Sequence, residues 1–233
     1  VFWVAVIPAA LCIVVLVCGV KEPERPSGQP RTNPIRRENL RRLSQNYWWV
    51  VTLGAVFTLA RFSEAFLVLR LQQGGLPLAL TPLALVLMSL VFSLGAYPLG
   101  KLSDRMNHTT LLAWGLVVLI AADALLAWRG HGIAAWLGVA LWGLHMAMTQ
   151  GLLATMVAAS APADLRGTAF GMFNLASGVA LLVASALAGL LWDQWGASAT
   201  FLAGGAFSTL ALVGVLWHAR TEATPPKPPL TQG

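Results

Sequence analysis

Along this chain, apolar runs of near-membrane length alternate with short polar connections. Seven such runs can be read: about Phe2–Val20, Tyr47–Leu71, Leu78–Leu99, Thr109–Trp128, Ile133–Ala159, Thr168–Trp192 and Ala199–Trp217. Each approaches the ~20 residues that a helix rising ~1.5 Å per residue needs to cross ~30 Å of hydrocarbon. The pattern predicts an all-α, polytopic membrane helix bundle of seven spans.

The connections sharpen that picture. Residues 21–46 form a polar segment with Pro23, Pro26, Pro30 and Pro34 and seven basic residues, and a Pro-rich tail occupies 219–233. Composition agrees with a membrane protein: 57% of residues are hydrophobic, 10% are charged and mean hydropathy is +0.71. Soluble domains run nearer 45–50% apolar and about 25% charged. The net charge of +6 therefore reflects topology, and no nucleic-acid partner is expected. Alternate connections hold Lys21, Arg25, Arg31, Arg36, Arg37, Arg41 and Arg42, then Lys101 and Arg105, then Arg166, then Arg220 and Lys227, whereas the other side has Arg70 and Arg129. Cytoplasmic loops carry the excess of Lys and Arg, which predicts Val1 outside and the C-terminus in the cytoplasm. Tyr47, Trp48, Trp49, Trp128, Trp136, Trp192, Trp195 and Trp217 fall near span boundaries, where interfacial aromatics sit. Cys12 and Cys18 share the first run but not one helix face, so they read as packed thiols and not as a disulfide or metal pair. The chain opens at Val1 inside an apolar run with no basic start, so no signal peptide is read and further N-terminal sequence is expected.

The most distinctive polar insert is Tyr97-Pro98-Leu99-Gly100-Lys101-Leu102-Ser103-Asp104-Arg105-Met106-Asn107-His108. Gly100 permits a tight backbone, Asp104 suits the start of a helix, and Lys101 and Arg105 hold the turn on the positive side. The pattern G-x-L-S-D-R resembles the loop signature of the major facilitator superfamily (MFS). That family usually continues with Gly-Arg-Arg or Gly-Arg-Lys, where this chain has Asn107-His108-Thr109. Val20-Lys21-Glu22-Pro23-Glu24 likewise resembles the exit of that family's sixth helix, which makes 21–46 its basic central loop. The resemblance implies that the seven runs match helices six to twelve of a twelve-helix transporter, with the first five helices or a complementary half elsewhere. It also implies that Gly100, Asp104 and Arg105 belong to a gating loop in which Asp104 meets a helix of the other half. Asp164-Leu165-Arg166-Gly167 resembles the cytoplasmic turn into the eleventh helix, where Asp164 favours the helix N-terminus.

Ionisable groups inside spans cost about 2.5–3.5 kcal/mol each on insertion scales, so each carries a functional hypothesis by default. Arg61 lies about 16 Å into the second run, and Glu64 follows three residues later, at helical spacing for a shared face. His145 lies about 18 Å deep in the fifth run, with Thr149 one turn on and Gln150 continuing inward. Asn174 and Ser177 project from the sixth. The resemblance implies that the helices bearing Arg61, Glu64, His145, Thr149, Gln150 and Asn174 border one midplane cavity for substrate or coupling ion. Two readings stand for each. Arg61–Glu64 is a switchable pair or a static one. His145 is a protonatable ligand or an interhelical hydrogen-bonder. Asp123, about 8 Å from the outer end of its run, reads as a partly hydrated or packing group. Small residues Gly143, Ala147 and Gly151, and Gly167 and Gly171, mark close helix approach; Pro82 and Pro98 mark a kink in the third run.

Two other function classes compete with this picture. Seven spans also describe a receptor, but an opsin needs a Lys within a span, and Lys21, Lys101 and Lys227 all lie in polar segments. No H-E-x-x-H, G-x-S-x-G or P-loop supports an enzyme, and no cofactor or metal is implied. The expectation is a secondary transporter of a small organic solute or drug-like compound, driven by protons or another ion and working by alternating access. Its setting would be a bacterial inner (plasma) membrane, with the lipid bilayer as partner.

Overall fold

The structure, a computed structural model, describes residues 2–19, 37–128 and 131–222. The prolines and basic residues of 21–36, Arg129 and the tail from 223 onward, Lys227 included, lie outside the described residues. The first run forms α1 (Phe2–Gly19), an 18-residue apolar helix carrying Pro8 and the free thiols Cys12 and Cys18. It falls within a separate unit, Val1–Asn33.

The second unit holds a short helix α2 (Arg37–Arg41) and then α3 (Gln45–Ala60), α4 (Ala65–Gln73), α5 (Pro82–Ser103), α6 (His108–Trp128), α7 (Gly132–Ser160), α8 (Arg166–Trp195) and α9 (Ala197–Glu222). No strand occurs among the described residues. Six segments are long and apolar enough to cross a membrane: Gln45–Gln73, Leu78–Ser103, His108–Trp128, Gly132–Ser160, Ala163–Trp195 and Ala197–Trp217. Five of them hold one continuous long helix. Gln45–Gln73 does not, because its helix stops at Ala60 and resumes at Ala65.

Helix α6 is the centre of the packing, with α7 and α9 against its sides; α7 also packs on α5, and α3 on α8 and α9. Glycines set the close approaches. A Cβ on Gly143 of α7 would strike the backbone carbonyl of Met88 on α5, and one on Gly115 of α6 would strike Thr149 of α7. Ala147 of α7 sits against Gly95 of α5. The small-residue reading therefore holds for Gly143 and Ala147. It does not hold for Gly151, Gly167 or Gly171, beside which a Cβ would meet nothing within 4 Å. Small size permits close contact only where another helix is present to use it.

Local chemistry fixes the ends. Pro82 is the first residue of α5, a position where its missing N–H costs nothing, so it starts the helix and does not kink it. Pro98 is inside α5 and leaves the carbonyl of Leu94 without its helical donor. Asn107, and not Asp104, caps α6, its Oδ1 accepting from the N–H of Thr109 at 3.0 Å. Ser44 caps α3 by accepting from the N–H of Tyr47 at 3.1 Å, and its hydroxyl donates to the carbonyl of Ser160 at 3.3 Å. Nearby, Arg42 pairs with Asp164 at 2.7 Å and the Tyr47 hydroxyl donates to Ala169 at 3.0 Å, so the start of α3 is tied to the turn before α8. Gly196 alone joins α8 to α9. Its φ of 80° and ψ of 174° are a conformation essentially confined to glycine.

Candidate functional site

The interruption between α3 and α4 places polar groups within an apolar span. Arg61 ends α3 at φ −109° and ψ 81°, and its N–H bends back to the carbonyl of Thr58 at 3.0 Å. Ser63 restarts the chain as a helix: its hydroxyl accepts from the N–H of Ala65 at 3.3 Å and its carbonyl from that of Phe66 at 3.1 Å. The N–H groups of Phe62, Ser63 and Glu64 and the carbonyl of Ala60 find no partner among the described residues. Non-helical backbone at membrane depth is tolerated only where protein or a water-filled cavity surrounds it. Here Phe62 anchors the break from the protein side, with its ring 5.4 Å from each of Phe66, Trp142 and Phe201.

This changes the expectation for Arg61 and Glu64. Helical spacing would align them on one face, but the helix is absent between them, and the two side chains are not within ion-pair distance. Both are half-buried. The interruption thus leaves a cation, a carboxyl group and three free N–H donors on four successive residues.

His145 and Thr149 lie deeper in the bundle, with His145 within electrostatic range of Arg61. Both are fully buried in the seam between α6 and α7. The Nδ1 of His145 lies 2.9 Å from the carbonyl of Gly115, the Thr149 hydroxyl donates to the carbonyl of His145 at 2.9 Å, and the ring of Phe57 lies 5.2 Å from that of His145. Within this bundle neither side chain reaches an open surface. The missing side chain of Gly115 lets α7 approach so closely that these groups are sealed between helices. Of the two readings, the interhelical hydrogen-bonder is the one this packing supports.

Gln150, one residue after Thr149, faces away from that seam and is exposed. It lines a groove of about 650 Å³ between α5 and α7, together with Gly100, Ser103, Asp104, Gly151 and Thr155. The groove thus brings Gln150 together with two residues of the G-x-L-S-D-R motif. Asp104 closes α5 as an exposed residue, its N–H bonded to the carbonyls of Gly100 and Leu102. A carboxylate there opposes the helix dipole, so its position does nothing for its own helix. Arg105 is exposed beyond it, and Asn174 is exposed on α8. The proposed residues are therefore distributed over a break, a sealed seam, a groove and an outer face.

Two groups have surroundings that the sequence reading does not anticipate. Arg70 looked like a loop charge, yet from α4 it donates to the carbonyls of Leu126 at 2.7 Å and Ala127 at 3.1 Å, the last turn of α6. It also reaches Ser198 at 3.4 Å, which itself donates to Ala127 at 2.7 Å. A cation on exposed helix carbonyls is favourable twice over, as donor and as dipole partner. The available signal was a basic residue in the last turn of a span. Asp123 was expected to be hydrated or bonded in packing. It is 1% exposed, and neither carboxyl oxygen has a partner.

Comparison with known proteins gives a consistent answer. The model of the Major Facilitator Superfamily matches residues 1–185. An uncharacterized MFS-type transporter of Methanocaldococcus jannaschii is 30% identical over 200 residues, covering 83% of this chain and 49% of the relative. The crystal structure of the POT family transporter PepTSo superposes with a TM-score of 0.59 at 20% identity, over 79% of this chain and 39% of that one. That likeness concerns the fold. The chain spans about half the length of the curated relative it matches.

Proposed function

We propose a mechanism from one premise: the chain belongs to the Major Facilitator Superfamily. It is an integral membrane protein of a transporter family, and membership leaves the receptor reading without support. The finer reading is secondary active transport of a small organic solute or drug-like compound by alternating access. A proton or ion gradient drives it, in a bacterial plasma membrane, with Val1 outside and the C-terminus inside as the Lys and Arg bias suggests. The division into a leading helix (1–20), a basic central loop (21–46), a six-helix bundle (47–218) and a cytoplasmic tail (219–233) belongs to the same proposal. So does the need for a complementary bundle, because alternating access rocks one bundle against another around a fixed site.

The observation that carries this reading is the interrupted span. Transporters of several folds bind substrate and coupling ions at discontinuous helices, whose free backbone groups face the substrate. Residues 61–64 supply such groups beside Arg61 and Glu64. Arg61 would attract an anionic or hydrogen-bonding part of the solute, and Glu64 would exchange a proton or cation as the site alternates. Gln150 and Asn174 would supply neutral hydrogen bonds, and Asp104 with Gly100 and Arg105 would gate the cytoplasmic side. His145 and Thr149 would hold α7 on α6 during the cycle.

The test is uptake and efflux of candidate solutes in membrane vesicles bearing the chain with its complementary half, under an imposed proton gradient. Arg61→Gln and Glu64→Gln should each cut transport at least tenfold without loss of folded protein. Wild-type rates in both variants would reduce the break to a structural feature.

A further inference from the structure

The outer half of α6 contains a second polar arrangement, separate from the residues assigned above. Asp123 lies between α6 and α9, and the helix surface facing it is glycine. A carbon placed on Gly204 would lie 3.0 Å from Asp123 Oδ2, 3.4 Å from the carbonyl oxygen of Ala60 and 2.9 Å from the ring of Phe62, while one on Gly205 would lie 3.7 Å from Asp123 Cβ. The carboxyl group and the Ala60 carbonyl thus border one small gap, and each lacks a donor. Two oxygens that only accept gain nothing from each other. A proton on the carboxyl turns one of them into a donor.

The neighbouring charges do not substitute for that proton. On α4, Arg70 is occupied by the carbonyls of Leu126 and Ala127. Arg61 and Glu64, on the break, make no ion pair with Asp123. From α7, His145 is bonded to Gly115, two turns away along α6. Helix α9 presents Gly204, Gly205 and Ser208, whose hydroxyl is bonded to the carbonyl of Gly204 at 2.9 Å. The indole N–H of Trp142, whose ring lies 5.4 Å from that of Phe62, is also buried and unpartnered. An unpaired carboxylate in such surroundings is strongly disfavoured, whereas a neutral acid that donates one hydrogen bond is tolerated.

We propose that Asp123 is a proton-binding site, whose proton lies between its carboxyl group and the Ala60 carbonyl and so couples α6 and α9 to the interrupted span. Binding ties the end of α3 to α6. Release leaves a carboxylate that requires water or the Trp142 N–H, and hence a different packing around Phe62. Its use as the coupling proton rests on the transport reading above; its existence as a proton site does not.

The experiment is infrared spectroscopy of the full chain in lipid nanodiscs as external pH is varied. A band from a protonated carboxyl group should be present at neutral pH, decline reversibly as pH rises, and be lost in Asp123→Asn. Gly204→Ala keeps the acid but fills the gap, and should shift both the band and its titration. A band unchanged by Asp123→Asn would overturn the assignment. So would one that ignores pH throughout the range where the protein stays folded, because the acid would then be static. Loss of the band when sodium replaces potassium would identify a cation as occupant instead. None of these readouts requires transport, so an inactive protein would leave them intact.

Discussion

Helices α6, α5 and α8 are about equally apolar, and they are used quite differently. The spans of α6 and α5 both have a mean hydropathy of 2.2 and that of α8 has 2.0, yet within this bundle half of the α6 span is buried and only 17% of the other two. In water, such hydropathy would force burial. In a bilayer it does not, because lipid tails are as apolar as leucine and helices associate through close packing and polar contacts. Within this bundle the difference follows the small and polar residues: Gly115, Asp123 and the terminal carbonyls of α6 engage α7, α9 and Arg70, while Val86, Leu90 and Leu182 face away from it.

Substitutions can break that contrast. The largest effect should come from Gly143→Leu, which forces a side chain against the Met88 backbone and separates α5 from α7. Overpacking of this kind costs roughly 1–3 kcal/mol and more when backbone must move. We expect loss of the folded peak in detergent size-exclusion chromatography, while Gly171→Leu on α8 elutes as wild type. Equal damage from both would show that exposed glycines on α8 are packed after all.

Next is Arg70→Ala, which strips donors from the end of α6. Hydrogen bonds to a charged group contribute about 1.5–3 kcal/mol each, partly offset here by exposure. Thermal unfolding in nanodiscs should fall by several degrees, with Arg70→Lys recovering only part because one ammonium cannot span both carbonyls. His145→Phe removes a single buried bond to Gly115, worth about 1 kcal/mol. It should lower stability modestly and leave the pH dependence of transport unchanged. A shifted pH profile would restore His145 as a protonatable ligand.

The smallest effect belongs to Arg42→Ala. Both partners of the pair with Asp164 are exposed, and such pairs contribute about 0–1 kcal/mol. Its loss should be visible at low salt and fade at high salt.

The sequence conveyed the all-α class, six of the spans to within a few residues, and the family. Hydropathy, Lys/Arg placement and the Gly100–Arg105 motif are properties of the chain itself, so they survive without knowledge of packing. Residues 61–64 were legible as polar but not as non-helical, because Arg61-Phe62-Ser63-Glu64 contains no proline or glycine to announce a break. The burial of His145 was not legible either. It depends on Gly115, thirty residues earlier, which admits α7 only once both helices exist. Asp123 was underrated for a similar reason, since distance from a helix end measures depth but not which neighbour closes over the site.

The junction at Gly196 bears on how force would travel. Two rods of 30 and 26 residues meet at a single residue, and the Thr200 hydroxyl stitches the second back to Ala188 of the first at 3.1 Å. An elbow so short has no slack: swivelling either rod must drag the other with it. The glycine wall that faces Asp123 sits on the second rod, eight residues past that elbow.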